Sequence, residues 1–226
     1  MFLLTTTFTL SIISLFANAY RIPIGYSAPR INAIEDNFKN SGLVPDLLPS
    51  FSPSAAMNVT FPGVGPISPG QNLSIQQVAA APGVTINPAN SSVPVTGNFT
   101  LIMVDAFAAG TNESNGQILH WLTNFATLKS DSNSSPSGSP SALNVSTDRA
   151  VVVTNYVSPQ PPVGTGLHRY AILLFPQPPS FSPPANLSNP NVGIDLYFHL
   201  TDYMSSSNLG QPIAGMFFQV EFGQAN

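Results

Sequence analysis

No cysteine occurs among the 226 residues. That absence removes disulfides, thiolate nucleophiles and thiolate metal sites from consideration. Secreted domains lean on disulfides chiefly when they are too small to build a core. A chain of about two hundred residues buries enough surface to fold without them. Charge is scarce as well: Asp, Glu, Lys and Arg make up 7 % of the chain, against roughly 25 % in an ordinary globular domain. Six Lys plus Arg against ten Asp plus Glu give a formal net charge of −4. Gripping nucleic acid takes a basic stripe that displaces counterions from phosphates, and a polybasic membrane anchor needs a similar cluster. The scattered cations here form neither. Past the N-terminus no apolar run is long enough to span a bilayer. There is no internal repeat, and no H-E-x-x-H, G-x-S-x-G or P-loop pattern.

Apolar residues still reach 43 %, enough for a substantial core, so something other than charge must keep the surface wet. The N-terminus supplies one part of the answer. Residues 8–16 are mostly apolar, and Ala17-Asn18-Ala19 is a small-x-small cleavage site. Together they read as a secretory signal peptide over residues 1–19, although a basic n-region is missing. A single mature domain over residues 20–226 would then begin at Tyr20 and be secreted. Eight N-x-[ST] sequons supply the other part, at Asn58, Asn72, Asn90, Asn98, Asn112, Asn133, Asn144 and Asn186. Glycans at such sites are bulky and solubilising.

Proline (23) and glycine (16) are spread along the chain and cut it into short segments, a pattern of strands joined by turns. Strands are expected over residues 99–107, 150–157, 168–175 and 215–222, with weaker ones at 56–61, 72–79 and 83–86. Residues 130–141 and the proline-rich residues 176–190 read as loops. A helix is expected over residues 194–204, where Ile194 and Phe198 recur at helical spacing, and a short helical turn over 36–41. The fold class is all-β, a sandwich of antiparallel sheets with a few peripheral helices.

Period-two geometry on the strand that starts near Leu167 sends His168, Tyr170 and Ile172 to one face and Arg169 and Ala171 to the other. His168 and Tyr170 therefore line one pocket, and Arg169 serves the scaffold. Gly164 and Gly166 permit unusual backbone angles and close approach of a ligand, while Pro161 and Pro162 stiffen the wall. On the same alternation Trp121 points away from His120, into the core.

The stretch Pro161-Pro162-Val163-Gly164-Thr165-Gly166-Leu167-His168-Arg169-Tyr170 resembles the second signature of the phosphatidylethanolamine-binding protein family. Leu101-Ile102-Met103-Val104-Asp105-Ala106-Phe107-Ala108-Ala109, followed by Leu119-His120-Trp121-Leu122-Thr123-Asn124, resembles an altered first signature. Leu209 to Phe222 is a third family-like segment. The resemblance implies an antiparallel β-sandwich. It also implies a pocket built from Asp105, His120, His168 and Tyr170, with Pro161, Pro162 and Gly164 in its wall, that receives phosphate-like anions and phospholipid head groups. Ala106, Phe107 and Ala109 replace the usual prolines and acid at the rim, which implies a more open and apolar mouth.

Three functional classes follow. The first is a non-enzymatic binding module without cofactor, taking a small anion or head group; with two imidazoles near their ordinary pKa of about 6.5, affinity should rise as the pH falls. The second, implied by the resemblance, is an inhibitor of a peptidase such as a serine carboxypeptidase. The third is a metal-dependent enzyme in which His120, His168 and Asp105 form a facial triad. A glycosylated coat protein with a vestigial pocket is a variant of the first.

Overall fold

The computed structural model describes residues 28–111, 114–130, 142–190 and 193–223. The signal peptide, Tyr20, Asn112, Asn133 and nearly all of the 130–141 loop lie outside the described residues. The chain opens with α1 (Ala28–Asn40) and a short α2 (Leu43–Asp46), then β1 (Ala55–Phe61), β2 (Gly65–Pro66), β3 (Gln71–Leu73) and β4 (Gly83–Pro88). The long strands β5 (Phe99–Ala108) and β6 (Gln117–Ser130) follow, then β7 (Leu143–Ser146), β8 (Val151–Thr154) and β9 (His168–Pro176). A single 3-10 turn (Ala185–Leu187), β10 (Asp195–Phe198), α3 (Leu200–Ser206) and β11 (Ala214–Val220) complete it.

The strands run β2-β1-β4-β7-β6-β5-β9-β11-β3 in space, with β8 and β10 also paired to β6. Because β6 is long, its first half belongs to the large sheet and its last residues pair with β7 of the small one. All pairings are antiparallel except β11 with β3. The expected sandwich is present.

Alternation on the strands builds two cores. Tyr170, Ile172 and Leu174 of β9 face Met57, Val59 and Phe61 of β1 and Val84 and Ile86 of β4 between the sheets. Ala171, Leu173 and Phe175 face the other way, onto Phe38, Leu43, Leu48 and Phe51 of the N-terminal helical layer and onto Leu200 and Tyr203 of α3. The helices sit hard against the sheet at Gly215, where a Cβ would fall 2.9 Å from both Phe51 and Leu173 side-chain atoms. Only the absence of a side chain there lets the layers close.

Three expectations need correction. Residues 194–204 are not one helix: β10 occupies Asp195–Phe198, His199 is extended (φ −106°, ψ 105°), and α3 starts at Leu200. Ile194 is exposed rather than part of an apolar helix face; β10 is held by pairing with Leu119 and Gln117 of β6. The 72–79 strand stops at Leu73, because Ser74 and Gln77 bond each other's backbone and turn the chain. The helical turn at 36–41 is the end of the thirteen-residue α1. No helix among the described residues is long and apolar enough to cross a membrane.

Candidate functional site

The site forms where β5 ends and β9 begins. Asp105 lies across from Tyr170, and Ala108 across from His168, so three steps on β5 match two on β9. The extra residue makes a bulge. Its apex is Phe107, at φ +53°, a left-handed conformation that bulky side chains seldom adopt. Two devices hold it. Asp105 Oδ1 accepts the Phe107 backbone N–H at 2.7 Å. From behind, Arg169 donates through Nη2 to Ala106 O (2.8 Å) and through Nε to Phe107 O (3.1 Å). The same guanidinium donates through Nη1 to Ser41 O and Asp46 Oδ2, both at 2.9 Å. Arg169 is fully buried and ties the turn between α1 and α2 to the bulge, the scaffold role its position on the strand predicts.

On the front face His168 Nδ1 donates to Asp105 Oδ2 at 2.8 Å, and its Nε2 lies 2.8 Å from the Thr165 hydroxyl. That hydroxyl also reaches Pro162 O at 2.7 Å. It has one proton and two neighbours, so it donates to Pro162 when Nε2 is protonated and to Nε2 when Nε2 is not. Gly164 (φ +79°) and Gly166 (φ +84°) bend the loop so that Thr165 reaches back over His168. Pro161 is buried under this loop and Pro162 is exposed, contributing its carbonyl.

His120 approaches from β6. Met103 pairs with Trp121 and Val104 with Leu119, which leaves His120 as the extra residue of a second bulge. The bulge breaks the alternation: His120 packs edge-on to Tyr170 (5.3 Å between ring centres) while Trp121 packs against the same core and Tyr156. The expectation that these two side chains point apart is corrected by that irregularity. His120 Nδ1 donates to Val157 O at 2.8 Å, and Val157 N–H donates back to His120 O at 2.8 Å. Burial is the main cause holding the His120 pKa below the ordinary imidazole value, outweighing the Val157 carbonyl and Asp105, which raise it. His120 is therefore neutral at neutral pH.

Tyr170 stands between the imidazoles, stacked 6.4 Å from His168 on one side and 5.5 Å from Phe218 on the other. Its hydroxyl is buried without a hydrogen-bond partner within 3.5 Å. Burial first, and the Asp105 carboxylate second, push its pKa well above the ordinary phenol value, so it is a donor throughout the physiological range. Asp105, His120, His168 and Tyr170 are between 0 and 4 % exposed. The apolar rim is present, but Phe107 turns its ring edge onto His168 at 5.7 Å and covers it.

The four predicted side chains thus come together, and Pro161, Pro162 and Gly164 shape the loop above them. Thr165 and Val157 are the participants that sequence reasoning passed over, and Phe107, expected to leave the rim open, instead packs on His168. Thr165 carried a signal, a hydroxyl between two glycines three residues before His168; Val157 acts through its backbone and left none. Among the described residues no three His, Asp or Glu side chains are arranged to hold a metal ion. Both Asp105 carboxylate oxygens are engaged, Oδ1 by the Phe107 N–H and Oδ2 by His168 Nδ1–H, which argues against the His120–His168–Asp105 triad.

The profile of the phosphatidylethanolamine-binding proteins matches residues 51–218. The chain belongs to this family. A relative from Toxocara canis described as a 26 kDa secreted antigen is 32 % identical over 80 % of the chain, and the match spans 62 % of that relative's length, under two thirds. The carboxypeptidase Y inhibitor of Saccharomyces cerevisiae is 27 % identical over 63 % of the chain and 73 % of its own length. A crystal structure of carboxypeptidase Y inhibitor complexed with its cognate proteinase superimposes with a TM-score of 0.67 at 23 % identity, covering 88 % of this chain and 98 % of that one. At that identity the likeness speaks for the fold. It agrees with the sandwich expected from the sequence.

Proposed function

We propose that this family member is a secreted, glycosylated, non-enzymatic binding protein that takes a small anion or phospholipid head group beside His168. In this reading residues 1–19 are removed and residues 20–226 form one domain. The observation that carries it is the buried Tyr170 hydroxyl, which has no hydrogen-bond partner within 3.5 Å and meets the Asp105 carboxylate only at longer range, beside an imidazole whose outer nitrogen meets only the exposed Thr165 hydroxyl. A buried polar group without a partner costs about 1–3 kcal/mol, and an anionic oxygen would relieve that cost. Binding would draw Thr165 off Nε2 and tilt Phe107 away from the ring. Asp105 would keep Nδ1 protonated and so aim Nε2 outward. His120, held neutral, would offer Nε2 as an acceptor, suited to the ammonium of an ethanolamine head group. The secreted-antigen relative supports the export half of the proposal.

Calorimetric titration with phosphoethanolamine and with inorganic phosphate tests it. One-to-one binding should weaken at least tenfold in His168→Ala and about ten- to a hundredfold in Tyr170→Phe, the loss of one hydrogen bond to a charged group. Unchanged affinity in both variants would sink the reading.

The similarity to carboxypeptidase Y inhibitor favours a second reading, inhibition of a serine carboxypeptidase. A peptide-hydrolysis assay with the purified enzyme separates the two, since an inhibitor suppresses turnover at stoichiometric ratios whether or not phosphate is present.

A further inference from the structure

A groove away from His168 combines a sequon with the chemistry that holds sugars. It has a volume of about 190 Å³ and lies between the 3-10 turn (Ala185–Leu187), β10 and α3. This is below the roughly 300–1,000 Å³ of a drug-sized site, so it admits a ligand of about one ring. Asn186, the acceptor of the Asn186-Leu187-Ser188 sequon, is exposed and lines it. So does Tyr197, which is 70 % exposed, an unusual state for an aromatic side chain in a chain with so few exposed ones. Asp195, Asp202 and Ser206 line the same groove.

Each wall is fixed. Leu187 is buried and its carbonyl accepts from Asn124 Nδ2 at 3.4 Å, which anchors the turn that presents Asn186. Asp195 Oδ1 accepts the Tyr197 backbone N–H at 2.9 Å, which leaves Oδ2 for a second donor. Asp202 and Ser206 are one helical turn apart on α3, with the Ser206 hydroxyl on Asp202 O at 2.6 Å. The buried Phe198 and Tyr203 close the floor.

We infer that Asn186 is glycosylated and that the first N-acetylhexosamine of its glycan lies in this groove, with one pyranose face on the Tyr197 ring. The C–H face of a pyranose carries slightly positive hydrogens and meets the negative face of an aromatic ring. Its hydroxyls donate charge-assisted hydrogen bonds to carboxylates such as Asp195 and Asp202. The attachment uses the lipid-linked oligosaccharide of the secretory pathway as co-reactant. The Asn186 amide nitrogen bonds to the anomeric carbon of the donor, the bond from that carbon to the lipid diphosphate breaks, and the amide gives up one proton. The inference rests on the export and glycosylation reading above.

The test is to secrete the chain from eukaryotic cells, map sequon occupancy by peptide mass spectrometry, and time the release of each glycan from folded protein by a peptide N-glycosidase. Asn144, which stands outward on β7, is the reference. Asn186 should be occupied and released at least tenfold more slowly than Asn144, and Tyr197→Ala should bring the two rates together. Because the Ser188 hydroxyl also donates to Ala185 O at 2.8 Å, the stability comparison is made by enzymatic deglycosylation: removing the Asn186 glycan should lower the melting temperature more than removing the Asn144 glycan, and equal losses count against the groove assignment. Asn144 occupied with Asn186 empty, or equal release rates in the unmodified sequence, overturns the groove assignment alone. Every sequon empty in the secreted protein overturns the glycoprotein reading and this inference together.

Discussion

His168 and Arg169 are neighbours on one strand, equally buried and aimed at opposite faces. Arg169 makes four hydrogen bonds, to three backbone carbonyls and the Asp46 carboxylate, and together they weld α1, α2 and the β5 bulge into one unit. His168 has two partners, and only Asp105 is buried with it; the other is the hydroxyl of an exposed loop residue. A scaffold group bonds to several fixed partners at once. A site group keeps one donor on a group that can leave. The backbone alternation that separates the two faces also lets adjacent residues of one strand serve both purposes.

Four substitutions probe that contrast. Arg169→Met should cost most, about 3–5 kcal/mol in chemical denaturation, because it strands buried carbonyls and half of an ion pair. Asp105→Asn, which keeps the shape and loses the charge facing His168, should cost about 1.5–3 kcal/mol. Thr165→Val should cost about 1 kcal/mol or less while changing ligand affinity. If Thr165→Val destabilised the fold more than Arg169→Met, the division into scaffold face and site face would break.

The smallest effect concerns His120. Its folded-state pKa is depressed, so the unfolded chain takes up this proton first as pH falls. The stability it contributes is full above the unfolded value of about 6.5 and is lost as pH drops from there toward the depressed folded value. Thermal melts from pH 7.5 to 5 should therefore show a shallower acid-side decline in His120→Asn than in the unmodified chain. Parallel declines would mean that His120 is not held neutral by burial.

Much of the large sheet was legible because β5, β9 and β11 are dominated by apolar and aromatic residues, with a single proline at the very end of β9 (Pro176). β6 was not, for two physical reasons. Thr123 and Asn124 are buried inside it, where Asn124 Oδ1 accepts from Thr100 and Tyr203, so polarity and burial do not correlate along this strand. His120 and Phe125 (φ +62°) interrupt its period. Ile34 and Phe38 marked α1 at helical spacing, but its charged and polar neighbours masked the pattern. At the site, strand alternation pointed to His168 and Tyr170, and the family resemblance added Asp105 and His120. Their hydrogen bonding was not legible, since it depends on two bulges and on backbone groups such as Val157 O that no side-chain pattern announces.

In the proposed reading His168 Nε2 receives an anionic ligand while His120 Nδ1 stays on Val157 O. Nitrogen-15 NMR of the imidazole rings during titration with phosphoethanolamine addresses it directly. The predicted result is a saturable shift of His168 Nε2, with His120 Nδ1 moving little and His199 not at all. A saturable shift confined to His120, or none at either ring while binding heat is measured, would contradict it.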